Sequence, residues 1–455
     1  MGIPKGSYMP TSIAISRVPL RLASSILAFA LAAAPAIRAG EAVDTLSLAR
    51  CMDIALHYNP LVRSAQGSSL AGEAAYHGAR ANLLPQVNAT ASGKAFGGDV
   101  TSTGGFAAGS GNATAQLYSA GIAAQQLLFD FGKTPARSAS AYDQWQAART
   151  DAEGTLESVT MNAQLAFINY LLSLAVKQVD EEALNQATAH LNLSQVQLEA
   201  GRGTRFNVSQ AEVVVANAKL NYIHGKNQIL LGRSQLENAL GRRLADSLVV
   251  LDSLTAAPRD IDMRAEVAAA LEHRPELVAA KLRQESSREQ LRAAQGSRLP
   301  DLTGTAGYGG QSSHLDSQWE KGWNVGVGLT LPIFAGGALQ AGVDQARGAL
   351  QQSEAFTASL EQAVVQEVEQ DVLNLREDAE RMQVASKAVA SAQLALDLSE
   401  ERFRQGVGQA LEVIDSELGI ANARIQTVQA VSDYRTSEVR LLRATGRLQL
   451  PAAAR

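Results

Sequence analysis

The stretch SQVQLEAGRGTRFNVSQAEVVVANAK, from Ser194 to Lys219, returns as SEERFRQGVGQALEVIDSELGIANAR, from Ser399 to Arg424. At a shift of about 205 residues, Gly201 and Gly203 fall on Gly406 and Gly408, Glu212 on Glu417, and Ala216-Asn217-Ala218 on Ala421-Asn422-Ala423. The same shift carries Leu191 and Leu193 onto Leu396 and Leu398, and Gly241-Arg242 onto Gly446-Arg447. One register holding over so long a span means that the unit is duplicated.

Proline marks the same division. None lies between Pro135 and Pro258 or between Pro332 and Pro451, leaving two proline-free segments of about 120 residues each. Proline in a helix interior costs about 3 kcal/mol, so these segments are open to very long helices. Deep within each, at matching places, lies a close glycine pair, Gly201-Arg202-Gly203 and Gly406-Val407-Gly408, which reads as the turn where the helix reverses.

Upstream the repeat continues at a different offset. Ala55-Leu56, Pro60, Ala65, Ala79, Leu84-Pro85 and Thr90 reappear about 215 residues later as Ala270-Leu271, Pro275, Ala280, Ala294, Leu299-Pro300 and Thr305. The register change falls between Thr90 and Phe129, where the first copy carries the Gly/Ser/Thr-rich residues Gly97 to Gly111. A loop absorbs such a difference; a helix or a paired strand does not.

Each copy therefore reads as helix, strand, loop, strand, long helix, glycine turn, helix. Residues 40–255 form the first, with strands at 84–97 and 112–130 and helices at 134–200 and 204–240. Residues 256–450 form the second, with strands at 299–311 and 321–334 and helices at 338–405 and 409–445. Asn59-Pro60 and Arg274-Pro275 are helix starts with proline in the first turn, and Leu84-Pro85 and Leu299-Pro300 end those helices and open strands. The clearest strand is the last, where Trp323, Val325, Val327, Leu329, Leu331 and Ile333 alternate with Gly322, Asn324, Gly326, Gly328, Thr330 and Pro332.

Residues 84–132 carry only Lys94, Asp99 and Asp130 as charges. Apolar side chains on one face, small or polar ones on the other, and Tyr118, Phe129, Phe131, Tyr308, Trp319, Trp323 and Phe334 towards the rims suit a transmembrane β-barrel. A small soluble sheet is the plain alternative. Four strands cannot seal a barrel, for which about eight is the lower limit, so on the barrel reading several chains share one. The helices show 3-4 spacing: Leu165, Ile168, Leu172, Ala175 and Val179; Val365, Val368, Val372, Leu375, Ala379 and Met382; Leu411, Ile414, Leu418, Ala421, Ile425 and Val428. Such helices pack lengthwise, and a soluble coiled-coil rod would show the same spacing.

The N-terminus has Lys5, Arg17 and Arg21 ahead of an apolar run from Leu22 to Ala36 and small residues around Ala39-Gly40, the pattern of a secretory signal peptide over 1–39. Met9 offers an alternative start. No cysteine stands at the expected cleavage site, which speaks against a lipid anchor, and Cys51 is the sole cysteine, so no intrachain disulfide forms. The chain is 46% hydrophobic and 5% aromatic with a net charge of −5. That balance gives no reason to expect a nucleic-acid partner. After the signal, no run approaches the roughly 18 apolar residues of a membrane helix, so membrane contact is expected from strands alone.

The duplicated helix-strand-strand-helix units, the Leu-Pro pairs before the first and third strands, Leu331-Pro332-Ile333-Phe334-Ala335-Gly336-Gly337 after the fourth, and the glycine turns together resemble the TolC family of outer-membrane channel proteins, over about 45–450. The resemblance implies an α+β membrane protein. It implies a homotrimer in which each chain gives four strands to one twelve-stranded barrel in outer-membrane lipid, with the helices continuing as an α-barrel through the periplasm. It implies a channel that serves as exit duct of a tripartite system, engaged by a periplasmic adaptor (membrane fusion) protein and an inner-membrane pump of RND, ABC or MFS type. It also assigns residues. Gly201, Arg202, Gly203, Gly406, Val407 and Gly408 match the tips that meet the adaptor. Glu412 and Asp415, three apart and so on one helical face, match the acidic periplasmic aperture; Asn207 and Gln210 are the neutral equivalents in the first copy.

No catalytic constellation competes with this reading. His57, His77, His190, His224, His273 and His314 show no metal-site spacing, Gly67-Ser68-Ser69-Leu70-Ala71 lacks the second glycine of a nucleophile elbow, and the glycine runs at Gly307-Gly310 and Gly326-Gly328 sit in strands. No enzyme, metal or cofactor is therefore expected. A periplasmic coiled-coil adaptor or a structural envelope protein is the alternative, although an adaptor would carry one hairpin rather than two. Whether the cargo is a drug, a metal or a secreted protein is open at this point.

Overall fold

The structure, a computed structural model, describes residues 44–96, 115–245, 248–315 and 318–448. The expected signal peptide and the Gly97–Gly111 loop lie outside the described residues. The element order is β1 (Asp44–Leu46), α1 (Leu48–Tyr58), α2 (Pro60–Ala81), β2 (Gln86–Phe96), β3 (Ala115–Phe129), α3 (Lys133–Glu199), α4 (Arg205–Leu240), β4 (Leu248–Val250), α5 (Met263–His273), α6 (Pro275–Gly296), β5 (Asp301–Ser312), β6 (Glu320–Thr330), α7 (Ala338–Arg404) and α8 (Ala410–Ala444).

Three features depart from the sequence reading. The single helix expected before each strand pair is two helices, broken where Pro60 and Pro275 begin a new first turn. A parallel pair, β1 with β4, joins the beginning of the first copy to its end, and Leu46 within it is almost fully buried. β6 stops at Thr330 rather than 334 because Pro332 has no N–H to give a ladder.

β2, β3, β5 and β6 form one antiparallel sheet in that order, leaving β2 and β6 as its edges. Its register sorts the side chains. Ala89, Ile122, Tyr308 and Trp323 are directly cross-paired and share one face, as do Val87, Ala124, Ala306 and Val325. The next row holds Asn88, Ala123, Gly307 and Asn324, and the row after it Gln86, Gln125, Thr305 and Gly326, on the opposite face. On the first face Trp323, Val325, Val327 and Leu329 are 77%, 72%, 68% and 69% exposed. From Trp323 to Leu329 this band runs about 20 Å at ~3.4 Å per residue. Tyr308 and Trp323 lie at one end, Phe129, Phe131 and the exposed Phe334 at the other.

Glycines in the left-handed region, Gly132 at φ +88° and Gly337 at φ +85°, turn the chain from sheet to helix. Buried Asp130 then caps α3, accepting from the Thr134 amide at 2.6 Å, and an ion pair joins Lys133 to Asp301 at the foot of β5. Pro135 sits in the first turn of α3, where its missing N–H costs nothing. α3 and α7 are each 67 residues, about 100 Å at ~1.5 Å per residue. Along its length each exchanges partners: α3 packs on α2 and α6, then on α4 and α8, and α7 on α5 and α6, then on α8.

An 18-residue window of α3 reaches a mean hydropathy of 1.4, which corrects the expectation that no helix is apolar enough to cross a membrane. Of that window 39% is buried, and its buried residues pack within the chain. Val159, Ala163, Phe167, Tyr170 and Leu171 form one core with α1, Leu46 and Leu236 of α4. A second core joins α7, α5 and α8 through Val364, Val368, Val372, Leu375, Tyr434 and Leu441. Within the spacing read as coiled coil, Ile168, Val179, Val368, Leu375 and Ile414 are buried, whereas Leu411 and Leu418 are about half exposed. α4 likewise shows Phe206, Leu220, Ile223 and Leu230 to the outside.

Candidate functional site

The two glycine turns place the four helix ends that define the tips. In the first, the amides of Arg202 and Gly203 both donate to the Gln197 carbonyl at 2.9 Å; in the second, those of Val407 and Gly408 both donate to the Arg402 carbonyl at 3.0 Å. The two glycines of each turn serve different needs. Gly201 and Gly406 take φ of +73° and +75°. At Gly203 a Cβ would lie 2.9 Å from the Leu198 amide nitrogen, and at Gly408 2.9 Å from that of Phe403, so here the backbone itself demands the missing side chain. Thr204 caps α4 by accepting from the Asn207 amide at 3.2 Å, whereas Gln409 gives α8 no side-chain cap.

The tips lie side by side and enclose a cleft of about 680 Å³, lined by Arg202, Phe206, Asn207 and Gln210 from the first and by Gln405 and Leu411 among others from the second. Gly406 and Gly408 also border it. The structure thus brings Arg202, Asn207 and Gln210 together with the second turn, but Glu412 and Asp415 are not among its lining residues. Both are exposed, and Glu412 lies 3.4 Å from Arg402 Nε within its own hairpin. With Gly419, Asn422, Gln426 and Gln429 they form a continuous exposed stripe without an apolar member, while Val413, Ile414, Glu417 and Ile420 turn inward. The sequence reading named only the first two of this stripe; its i, i+3, i+4 recurrence of polar residues was the available signal.

A second concentration of charge surrounds the α5–α6 junction, beside the middle of α7 and the C-terminal end of α8. Buried Arg274 reaches Glu276 at 3.2 Å and Glu367 at 2.6 Å, and Arg443 pairs with the same two carboxylates. Burial and the neighbouring Glu276 push the Glu157 carboxyl up to about 7, and burial and Glu367 push Asp371 up to about 6. In the first copy the place of Arg274 is taken by Asn59, which donates to the Ala239 carbonyl and caps α2. Among the described residues no group of three or more His, Cys, Asp or Glu side chains is placed to hold a metal.

The sequence pattern described as outer membrane efflux protein matches residues 51–242 and 267–447, most of the chain and both copies. Outer membrane protein TolC of Escherichia coli is 28% identical over 419 residues, covering 86% of this chain and 80% of its own length. Outer membrane protein OprJ of Pseudomonas aeruginosa is 25% identical over 436 residues, covering 91% and 88%. The crystal structure of the Campylobacter jejuni CmeC outer membrane channel superposes with a TM-score of 0.78 at 18% identity, covering 89% of this chain and 86% of that one, a likeness of fold. A duplicated unit of two-faced strand pairs and helices of about 100 Å, matched over both copies, is an outer-membrane channel for export, and the chain belongs to the outer membrane efflux protein family.

Proposed function

We propose that three copies of the chain close one barrel and one tunnel, and that the tips receive cargo from an inner-membrane pump through a periplasmic adaptor. The observation that carries this is the open sheet: one face is apolar and exposed, the other polar, and among the described residues both edges lack a partner strand. Bare edges and an apolar outer face cannot persist in lipid, where every backbone group needs a bond. Two further copies supply β2-to-β6 pairings that reach twelve strands, above the lower limit of about eight. The half-exposed Leu411 and Leu418 and the outward apolar residues of α4 are then covered by neighbouring helices.

At the other end the same symmetry gathers Glu412 and Asp415 from each chain into an acidic ring at the aperture, with neutral Asn207 and Gln210 beside the cleft. Such a ring concentrates cations and repels anions. Gly201, Arg202, Gly203, Gly406, Val407 and Gly408 form the surface that an adaptor meets. Efflux of small molecules is the favoured duty, because relatives of similar length bear the names antibiotic efflux pump outer membrane protein ArpC and toluene efflux pump outer membrane protein TtgC. A pump of the RND, ABC or MFS type would supply the energy. Purified protein added to a planar bilayer should give discrete, cation-selective conductance steps; protein that stays in solution and leaves the bilayer sealed would refute the proposal.

A further inference from the structure

One polar cluster belongs neither to the aperture stripe nor to the charge network. His190, on α3 about 16 Å above the first turn at ~1.5 Å per residue, faces Glu417 on α8, with Nδ1 3.9 Å from Oε1. The imidazole also stacks on Phe403 of α7, with ring centroids 5.4 Å apart. His190 is 6% exposed, Glu417 8% and Ser194, one helical turn below His190, 1%. Among the described residues, His190 Nε2, Glu417 Oε2 and Ser194 Oγ have no hydrogen-bond partner. A cavity of about 220 Å³ opens beside the pair, lined by Glu400 and Arg404 of α7 and Gln186 of α3 as its other hydrogen-bonding side chains. Arg404 is held by Glu400 and Glu401, and farther up Arg424 of α8 bonds Glu182 of α3 at 2.8 Å.

These groups join different hairpins. Next to them Leu193 makes a small apolar contact with Phe403, Ala410 and Val413. Buried polar atoms without partners make a contact sensitive to charge, since an ion there has little to replace its lost water. The repeat shows the feature to be particular to this interface: the shift that carries Glu212 onto Glu417 carries His190 onto Ala395, and Glu212 is exposed.

We propose that His190 and Glu417 form a proton-operated latch between the two hairpin tips, which holds α3 against α8 while the pair carries one proton and slackens when it loses that proton or gains a second. With one proton the pair is net neutral, whichever side chain holds it. Removing the proton leaves a buried carboxylate facing Glu400; adding another leaves a buried imidazolium beside a neutral acid. The titration directions agree. Burial and then Glu400 push Glu417 up to about 7 from 4.5, so its stabilising contribution is full below 4.5 and is lost as pH rises through about 7. Burial lowers His190 from 6.5, so its contribution is full above 6.5 and is lost as pH falls through its depressed value. The latch is tightest between the two. Its bearing on export rests on the channel reading above.

Ser194→Cys puts a thiol into the latch with little change of volume. Cys51 is buried, and burial aided by Asp252 pushes its thiol up to about 12, so it stays silent to alkylation. The alkylation rate at position 194 in the full-length, detergent-purified protein, divided by that of an exposed reference, Val407→Cys, cancels ordinary thiol ionisation. The ratio should be lowest near pH 6 to 7, rise about tenfold by pH 8.5 with a midpoint near 7, and rise again in acid. Glu417→Gln should abolish the alkaline rise. Independently, His190→Phe, which keeps a ring against Phe403, should abolish the acid rise. A flat ratio with Ser194→Cys alone, or an alkaline rise that survives Glu417→Gln, would overturn the latch. The readout needs no conductance, so a failed channel reading and a failed latch give different results.

Discussion

The turn at Gly201–Gly203 and the turn at Gly406–Gly408 have the same backbone and different chemistry. Both direct two successive amides to one carbonyl, and both need glycine at the same two places for the same two reasons. Beyond the first stand Asn207 and Gln210, beyond the second Glu412 and Asp415. The far ends of the hairpins diverge in the same way: Asn59 is a neutral cap where Arg274 is the centre of an ion network. Duplication fixed the path of the chain, and the second copy took on the charge. Geometry and electrostatics can therefore be perturbed separately.

The largest effects should come where both copies share geometry. Gly241 and Gly446 take φ of +74° and +64° while a Cβ would meet the Asn59 Cα at 2.8 Å and the His273 carbonyl oxygen at 2.8 Å. Alanine at either should cost about 2–4 kcal/mol in thermal or chaotrope unfolding, against about 1 kcal/mol at Gly201 or Gly406, where φ is alike but the space is open. Equal costs at all four would show that crowding contributes nothing.

Next come the charges that distinguish the tips. Glu412→Gln with Asp415→Asn should lower the cation-to-anion permeability ratio in bilayers by about two- to five-fold, and Asn207→Asp with Gln210→Glu should raise it. An unchanged ratio in both would remove the aperture from these positions. A smaller effect, set by pH, is expected at the other end. Glu157 at about 7 and Asp371 at about 6 stand above their ordinary 4.5 and 3.8, so the stability they contribute is complete below the ordinary values and lost as pH rises through the raised ones. Glu157→Gln, which cannot ionise, should therefore gain in Tm over the parent at pH 8 and show no gain at pH 4.5. Smallest of all, Arg402→Ala removes a partner of Glu412 in an exposed pair and should cost less than about 1 kcal/mol.

Much of this fold was legible because its signals are periodic or are glycine and proline. Trp323 to Leu329 alternate at period two and lie on one exposed face, and Pro60 and Pro275 mark helix starts. What stayed hidden had no local pattern. β1 and β4 are three residues each, too short to alternate visibly, and they pair across half the chain. The apolar window of α3 gives its buried side to a core, and length with composition cannot separate such a window from a membrane span. Glu412 and Asp415 are named by resemblance alone; the pairing of Glu412 with Arg402 depends on the geometry of the turn between them, and the meeting of His190 with Glu417 on how two distant hairpins pack.

On the proposed function, the four-stranded sheet is incomplete until sister chains close it. Native mass measurement of the detergent-extracted protein, before and after heating, tests this most directly. The expected result is a species of three chains that falls to one chain when heated; a folded, lipid-free single chain at every temperature below unfolding would rule out closure by sister chains.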